Sequence, residues 1–434
     1  MAGGTFTAQN KVRAGAYINF RSVKKGSAAV GDRGIAAVPM ELGFGPAGSL
    51  VEITAESDVK KLLGYPADHE ALLLLRECAK RAKKVLVYRL ADGVKAACTG
   101  GNLTATARYG GSRGNAITVR VTAEGGKFRV ETLLDGAVAD SQEGKTVSDL
   151  AGNSWVEFSG SGALTAQAGM VLTGGSDGEV SADSYDGFFS ALEKAEVQTF
   201  ALPCSNTGVL GKAAAFVRRM RDQEGKKLQG VAAGYPQADC EGIISVKNGV
   251  VLEDGTEISA VQATAYVAGM TAGAQVNESN TYGSYDGAVE VSERYTDSEI
   301  TAALKDGEWV FVPRNGGVVV EQDINTFTSF TAEKGKIFSK NRPLRVMDGL
   351  AADIKALFEG QYLGKTGNSA DGRSLFKAEI LSYLQQLEDI GAIDGLDPED
   401  VEVLPGSDAD AVAVKLLLRP VDSMEKLYMT VEIQ

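Results

Sequence analysis

The sequence predicts a multidomain α+β protein: an α+β unit near the N-terminus, an inserted all-β segment, an α/β layer, and a C-terminal unit of helices followed by strands. Three observations carry this. Between about residues 94 and 178 the apolar positions fall in short alternating runs divided by Gly, Ser, Asn and Asp, with no helical period. From 181 to 335 strand-like and helix-like stretches alternate on a larger scale, and residues 336–434 hold two apolar stripes at helical spacing. A length of 434 residues suffices for several domains with cores of their own.

In chain order, residues 5–20 come first. Phe6, Ala8, Val12, Ala14, Ala16, Ile18 and Phe20 take even positions with mostly polar residues between them, the period of a strand with one buried face. Residues 34–39 and 50–54 read as strands divided by the turn Gly43-Phe44-Gly45-Pro46. Asp68 is expected to cap a helix from about His69 to Lys84, with Leu72, Leu75, Cys78, Ala79 and Ala82 on one stripe and bases in the last turn, where the helix dipole favours them. Residues 85–90 follow as a strand, and the unit stops near Asp92-Gly93. The all-β segment, with runs such as Ile117, Val119 and Val121 or Phe128, Val130 and Thr132, is expected to fold as a sandwich or barrel-like insertion.

Within the α/β layer, helices are expected near 184–195, 208–222, 263–273 and 297–305, and strands at 197–202, 229–233 and 242–246. Residues 309–313 and 318–321 flank Asn315-Gly316-Gly317 as a hairpin. Beyond it, Met347, Leu350, Ile354, Leu357 and Phe358 mark one amphipathic helix, and Phe376, Ile380, Tyr383, Leu384, Leu387 and Ile390 a second. Strands near 400–404, 411–418 and 426–433 close the chain. In the last, Leu427, Met429, Val431 and Ile433 alternate with Tyr428, Thr430, Glu432 and Gln434.

Strands at chain ends fray unless a sheet ties them down, so both tails are expected to complete a sheet, either of their own subunit or of a neighbour. Their charges are complementary. Met1 to Lys25 holds five bases and no acid, whereas Asp394 to Gln434 holds ten acids and three bases; opposite charge steers association and suppresses wrong pairings. Burying the four apolar side chains of the last strand gains ~1.5 to 3 kcal/mol each, while fixing about eight residues of backbone costs ~1 to 2 kcal/mol each. A single arm therefore roughly breaks even, and many arms acting together favour a lattice.

Composition narrows the function classes. A net charge of −13 argues against nucleic acid as the principal partner, because phosphate binding needs clustered cations. No uninterrupted apolar run of about 18 residues is present, so no membrane insertion is expected. Met1-Ala-Gly-Gly-Thr5 lacks the pattern of a secretory signal, from which synthesis in the cytoplasm is expected. Cys78, Cys98, Cys204 and Cys240 are widely spaced and read as buried thiols, neither a metal site nor a disulfide frame.

Motifs that suggest chemistry fail on their context, and neither catalytic residues nor cofactors are expected. Gly43-Phe44-Gly45-Pro46-Ala47-Gly48 matches the dinucleotide pattern by letters, yet a strand follows where a helix N-terminus must meet the pyrophosphate. Gly364-Lys365-Thr366 matches the end of a P-loop, but Glu359 stands where the first glycine belongs. The single histidine, His69, sits at a helix start with no nearby Cys or second His, and reads as an ordinary surface residue.

Lys340-Asn-Arg-Pro-Leu-Arg-Val-Met-Asp348, Gly360-Gln-Tyr-Leu-Gly-Lys-Thr-Gly-Asn368 and Pro420-Val-Asp-Ser-Met-Glu-Lys-Leu-Tyr-Met-Thr-Val431 resemble contractile tail sheath proteins of myophages, defective prophages and phage-tail-like bacteriocins. So do Gly34-Ile-Ala-Ala-Val-Pro39, Arg108-Tyr-Gly-Gly-Ser-Arg-Gly-Asn115, Leu172-Thr-Gly-Gly175 and Ala265-Tyr-Val-Ala-Gly-Met-Thr-Ala-Gly273. The resemblance spans nearly the whole chain. One departure is Val12-Arg13-Ala14-Gly15, with Ala where the family suggests Pro.

The resemblance implies a non-enzymatic structural subunit that stacks as hexameric rings around an inner tail tube and contracts to drive the tube through a cell envelope. Its partners would be further copies of itself, the tube protein, and baseplate and tail terminator proteins. It would assemble in the bacterial cytoplasm and end in a released phage tail or tail-like particle. The implied division is an N-terminal arm (1–22), the N-terminal part of an inner α+β domain (23–93), a β-sandwich-like domain (94–178), a subtilisin-like but non-catalytic α/β domain (179–335), and a C-terminal sheath domain (336–434) ending in an arm (421–434). The inner domain would combine both chain ends. Residues 181–335 contain no histidine, so no Ser-His-Asp triad can form within them. Arg342, Arg345 and Lys355 are candidates for contact with the tube. Two rival readings are a non-contractile polymer of tail-tube or surface-layer type, and a hydrolase.

Overall fold

In the computed structural model, residues 2–4, 15–17, 30–31 and 33–433 are described. A seven-stranded sheet organises the body, in the order Glu308–Trp309, Ile243–Val246, Gln229–Ala233, Thr199–Ala201, Ile35–Met40, Lys84–Arg89 and Leu50–Ile53. All neighbours are parallel except the edge strand Leu50–Ile53. Parallel strands need cover on both faces, which explains why Ala36–Met40 and Val85–Arg89 are buried throughout. Ala36, Val38, Val85 and Val87 join the core under the helices Leu73–Ala79 and Ala260–Gly273. Ala37, Leu86 and Tyr88 point the other way, to Ser184–Glu193 and Thr207–Asp222.

This sheet corrects one expectation. The sequence reading groups residues 23–93 with the C-terminal unit, but Ile35–Met40 and Lys84–Arg89 lie inside the sheet of the α/β layer. Ile35–Met40 pairs with Thr199–Ala201 across the whole inserted all-β segment, a non-local parallel pairing that no periodicity announces. Val30 packs on the core of the C-terminal unit, the Gly31 N–H donates to Asp353 at 3.0 Å, and the Arg33 charge feels Arg345, Asp348 and Asp353.

The helix expected from His69 to Lys84 is shorter. His69 Nδ1 accepts the Ala71 N–H at 3.1 Å and opens a 3-10 turn, Glu70–Leu72, before the helix proper at Leu73–Ala79. Lys84 is already in the following strand. A further helix, Val59–Leu63, is capped by Asp58, which accepts the Lys61 N–H at 3.1 Å. The Ala- and Gly-rich helix Ala260–Gly273 lies backbone to backbone on its neighbour. A Cβ at Gly269 would stand 2.2 Å from the Cys78 carbonyl oxygen.

Residues 97–171 form a sandwich of a four-stranded and a three-stranded antiparallel sheet around Ile117, Val119, Val130, Leu134, Trp155 and Val156. Phe44 plugs into this core, 5.2 Å from the Tyr109 ring and 5.6 Å from Trp155. Buried Arg89 ties the junction by donating to the carbonyls of Leu42 (2.6 Å), Gly45 (2.8 Å) and Gly110 (2.7 Å). Asn115 clasps Gly175 with two hydrogen bonds, 2.8 and 2.9 Å. Two of the recognisable motifs, 108–115 and 172–175, thus close the neck of the inserted domain.

The hairpin Phe311–Arg314 and Gly317–Val320 turns on Asn315 and Gly316, both at positive φ, as the Asn-Gly pair predicts. In the C-terminal unit the helices Asn341–Leu357 and Ala370–Asp389 are joined through a π turn, Phe358–Tyr362. Their core contains Val346, Leu357, Phe376, Ile380, Tyr383, Leu384 and Leu387. A two-stranded hairpin, Val401–Pro405 with Val412–Leu416, packs on it. No third strand follows: residues 423–433 form neither strand nor helix, which corrects the strand expected near 426–433. Among the described residues, this segment pairs with no strand of its own subunit.

Candidate assembly surfaces

Residues 340–348 begin the first C-terminal helix and turn a charged face into the protein. Arg345 is 1% exposed and donates to Asp323, itself 1% exposed, and to the Glu278 carbonyl at 2.7 Å. Asn341 donates to Asp323 and to the Ile324 carbonyl, both at 2.9 Å, and accepts from Gln229 at 3.1 Å and Asn325 at 3.2 Å. One turn on, Asp348 accepts two parallel bonds of 2.8 Å from Arg221. Burial opposes the charge of Arg221, but Asp348 outweighs it and holds the guanidinium above its ordinary value. Burial and the nearby Arg345 pull Arg33 down to about 10. This network locks the C-terminal unit to the α/β layer, since Asp323, Gln229 and Arg221 all belong to the latter.

The C-terminal segment is attached to that lock and then released. The Val421 N–H donates to Ala392, the Asp394 N–H to Arg419, each at 3.0 Å, and Arg419 pairs with Asp400. The Arg419 hydrogen bond holds the Asp400 carboxyl below its usual range. Glu425 pairs with Lys340 and accepts from Thr281 Oγ1 at 2.8 Å. After Glu425 the chain is bare. Leu427 is 86% exposed, Met429 74%, Val431 68% and Ile433 94%. Such a row of alternate apolar side chains left in water is a feature of interaction surfaces, which makes the segment a candidate one.

The C-terminal unit also holds an incomplete sheet. Among the described residues, neither outer edge of the hairpin Val401–Pro405 and Val412–Leu416 pairs with a third strand. Val401 is buried, and Val403, Val412 and Leu416 pack partly on the helical core. Leu404, Val414 and Leu417 stay largely exposed. Two-stranded sheets are marginal alone, and open edges template added strands.

The predicted site residues separate into three groups. Leu427, Met429, Val431 and Ile433 lie together on the bare segment. Of the N-terminal set, Phe6, Ala8, Val12, Ala14, Ile18 and Phe20 lie outside the described residues, and Ala16 falls in a short strand, Gly15–Tyr17, parallel to Ala2–Gly4. The tube-contact candidates divide: Arg345 is sealed inside the joint, which corrects that expectation. Arg342 is half-buried and donates to the carbonyls of Asn277 (2.7 Å) and Gly391 (3.3 Å), while Lys355 is exposed. The sequence signal for the buried joint is a polar stripe, Asn341, Arg345 and Asp348, at helical spacing. In a lone sequence such a stripe looks the same as a solvated face.

The motifs set aside in the sequence fall in structural places. Leu50–Ile53 is a strand after the glycine-rich turn, and Lys365 is an exposed residue donating to Gly360. His69 is half-buried, caps its turn, and lies 4.7 Å from the Tyr65 ring. All four cysteines are free; Cys78 and Cys240 are buried, Cys98 and Cys204 only partly, and burial pushes the Cys78 thiol far up. Among the described residues there is no cluster of metal-ligating side chains and no helix long and apolar enough to cross a membrane.

Four family profiles match consecutive parts of the chain: tail sheath protein Gp18 domain III N-terminal region (33–90), phage tail sheath protein beta-sandwich domain (91–177), phage tail sheath protein central domain (178–326) and phage tail sheath C-terminal domain (333–434). The phage-like element PBSX protein XkdK of Bacillus subtilis is 38% identical over 466 residues, covering 100% of both chains. A crystal structure of the sheath tail protein from Desulfitobacterium hafniense is 49% identical, with a TM-score of 0.87, over 96% of this chain and 100% of that one. The anti-feeding prophage helical sheath, in its contracted state, shares the fold at 14% identity and a TM-score of 0.59, over 96% of this chain and 98% of that one.

Proposed function

We propose that this chain, which belongs to the phage tail sheath family, polymerises as stacked hexameric rings around an inner tube and contracts to drive that tube through a cell envelope. The observation that carries this reading is the presence in one subunit of a bare apolar segment, 427–433, and of a hairpin whose edges are open among the described residues. Neither completes the other within one subunit. Segment 427–433 of one copy, and the even-numbered apolar residues of the N-terminal arm of another, add strands to the hairpin of a third, by strand addition in which main-chain bonds give affinity and alternate side chains give register. Each subunit is thereby held on several sides.

Contraction is then a mechanical event. The rigid unit is the α/β layer locked to the C-terminal helices through Arg345, Asp323, Asn341 and the Arg221–Asp348 pair. Rigid units repack between two lattices while the arms keep copies connected, and bistable interfaces supply the work. The α/β layer is read as subtilisin-like in fold alone, and the subunit as non-enzymatic. Its other partners are the tube, baseplate and tail terminator proteins, without nucleic acid or membrane insertion. Assembly takes place in the host cytoplasm before release of the particle. Arg342 and Lys355 remain candidates for the tube-facing side.

Electron microscopy of the purified protein tests this. Wide hollow cylinders are expected from the full chain, and folded subunits without cylinders from a chain ending at Lys426. Normal cylinders from the truncated chain would remove the arm from the account.

A further inference from the structure

The point at which the C-terminal arm leaves the body is fixed by a side chain wired into the interdomain joint. Glu425 faces Lys340, Thr281 Oγ1 (2.8 Å) and Ser423 Oγ (3.2 Å). The Thr281 hydroxyl in turn accepts the Asp323 N–H at 2.9 Å, and the Asp323 carboxylate accepts from Arg345, Asn341 and the Asn280 N–H. Lys340 directly precedes Asn341 at the start of the same helix. Two short routes therefore run from the arm to the joint.

The pair is no ordinary surface ion pair. Its side chains are 14% and 10% exposed, so the charges meet with little solvent screening, and the carboxylate has a neutral donor besides. Upstream, the chain is tied to residues 392–394 by backbone bonds; downstream, among the described residues 426–433, no hydrogen bond holds it. Glu425 is the last anchored residue. Nothing apolar could serve there equally well, because an oily anchor leaves direction loose, whereas a carboxylate shared by an ammonium and a hydroxyl fixes it.

We infer that Glu425 is a positioning residue for assembly: it clamps the root of the arm to the interdomain joint, so that residues 427–433 are offered to a second copy in a direction set by that joint. This rests on the reading of 427–433 as a donated strand. The clamp can be tested apart from that reading.

Full-length Glu425→Gln, Lys340→Met and the exchanged pair Lys340→Glu with Glu425→Lys are compared with the parent, with Glu432→Gln on the arm as control. Hydrogen exchange of the subunit reads the clamp, at the amides of Asp394 and Val421. Exchange faster by about tenfold is expected in Glu425→Gln and Lys340→Met, with recovery in the exchanged pair and no change in the control. Polymer formation, followed by light scattering and microscopy, is expected to need about tenfold more protein in the same two variants. Unchanged exchange overturns the clamp. Faster exchange with unaltered polymers overturns its positioning role while leaving the donated strand intact. Normal polymers from a chain ending at Lys426 would instead defeat the strand reading itself.

Discussion

The interdomain joint and the C-terminal segment depart from the usual distribution of side chains in opposite directions. At the joint, charged Arg345 and Asp323 are sealed from water; in the segment, Leu427, Met429, Val431 and Ile433 stand in it. Buried charge is tolerated only when paired and hydrogen-bonded, and exposed apolar runs persist mainly where a partner covers them. The joint pairs its charges within one chain, with Asn341, the Glu278 carbonyl and the Asn280 N–H as further partners, although Arg345 Nε and Nη1 stay buried without a hydrogen-bond partner. Segment 427–433 finds no such cover in its own chain. The first region belongs to the folding of a subunit, and the second is the one proposed to serve its assembly.

Substitutions should separate the two. Arg345→Ala leaves Asp323 buried without its cation, and a loss of about 3 to 5 kcal/mol in urea unfolding is expected; a loss under about 1 kcal/mol would mean that water reaches the joint. Asn341→Ala removes the hub of four hydrogen bonds and is expected to cost about 2 kcal/mol by the same measurement. Leu404→Asp, on the exposed side of the hairpin, should cost the subunit about 1 kcal/mol or less while lowering polymer yield on sedimentation. Smallest for the subunit is Val431→Asp, within about 0.5 kcal/mol of the parent, although polymers should be lost. A large effect of Val431→Asp on the isolated subunit would place the segment in its own core and dissolve the contrast.

Much of the fold was legible because its signals are local. The period of two in the sandwich, the Asn315-Gly316 turn and the stripe from Phe376 to Leu387 each follow from residues close in sequence, whereas the same period at 427–433 forms no strand within the subunit. The illegible parts are non-local. Nothing near residues 35–40 or 84–89 states that they pair with, or flank, strands beyond the inserted sandwich. The joint stayed hidden because Arg345 finds Asp323 on a loop, and a charged residue on a helix usually faces solvent. Glu425 was one of ten acids near the end of the chain, and only its meeting with Lys340 and Thr281 sets it apart.

Helical reconstruction of the assembled polymer tests the central claim most directly. Density for 427–433 of one copy is expected to run as a strand along the hairpin 401–416 of another, with Glu425 still against Lys340 of its own chain. Density showing 427–433 folded back on its own subunit, with no strand crossing between copies, would contradict the account.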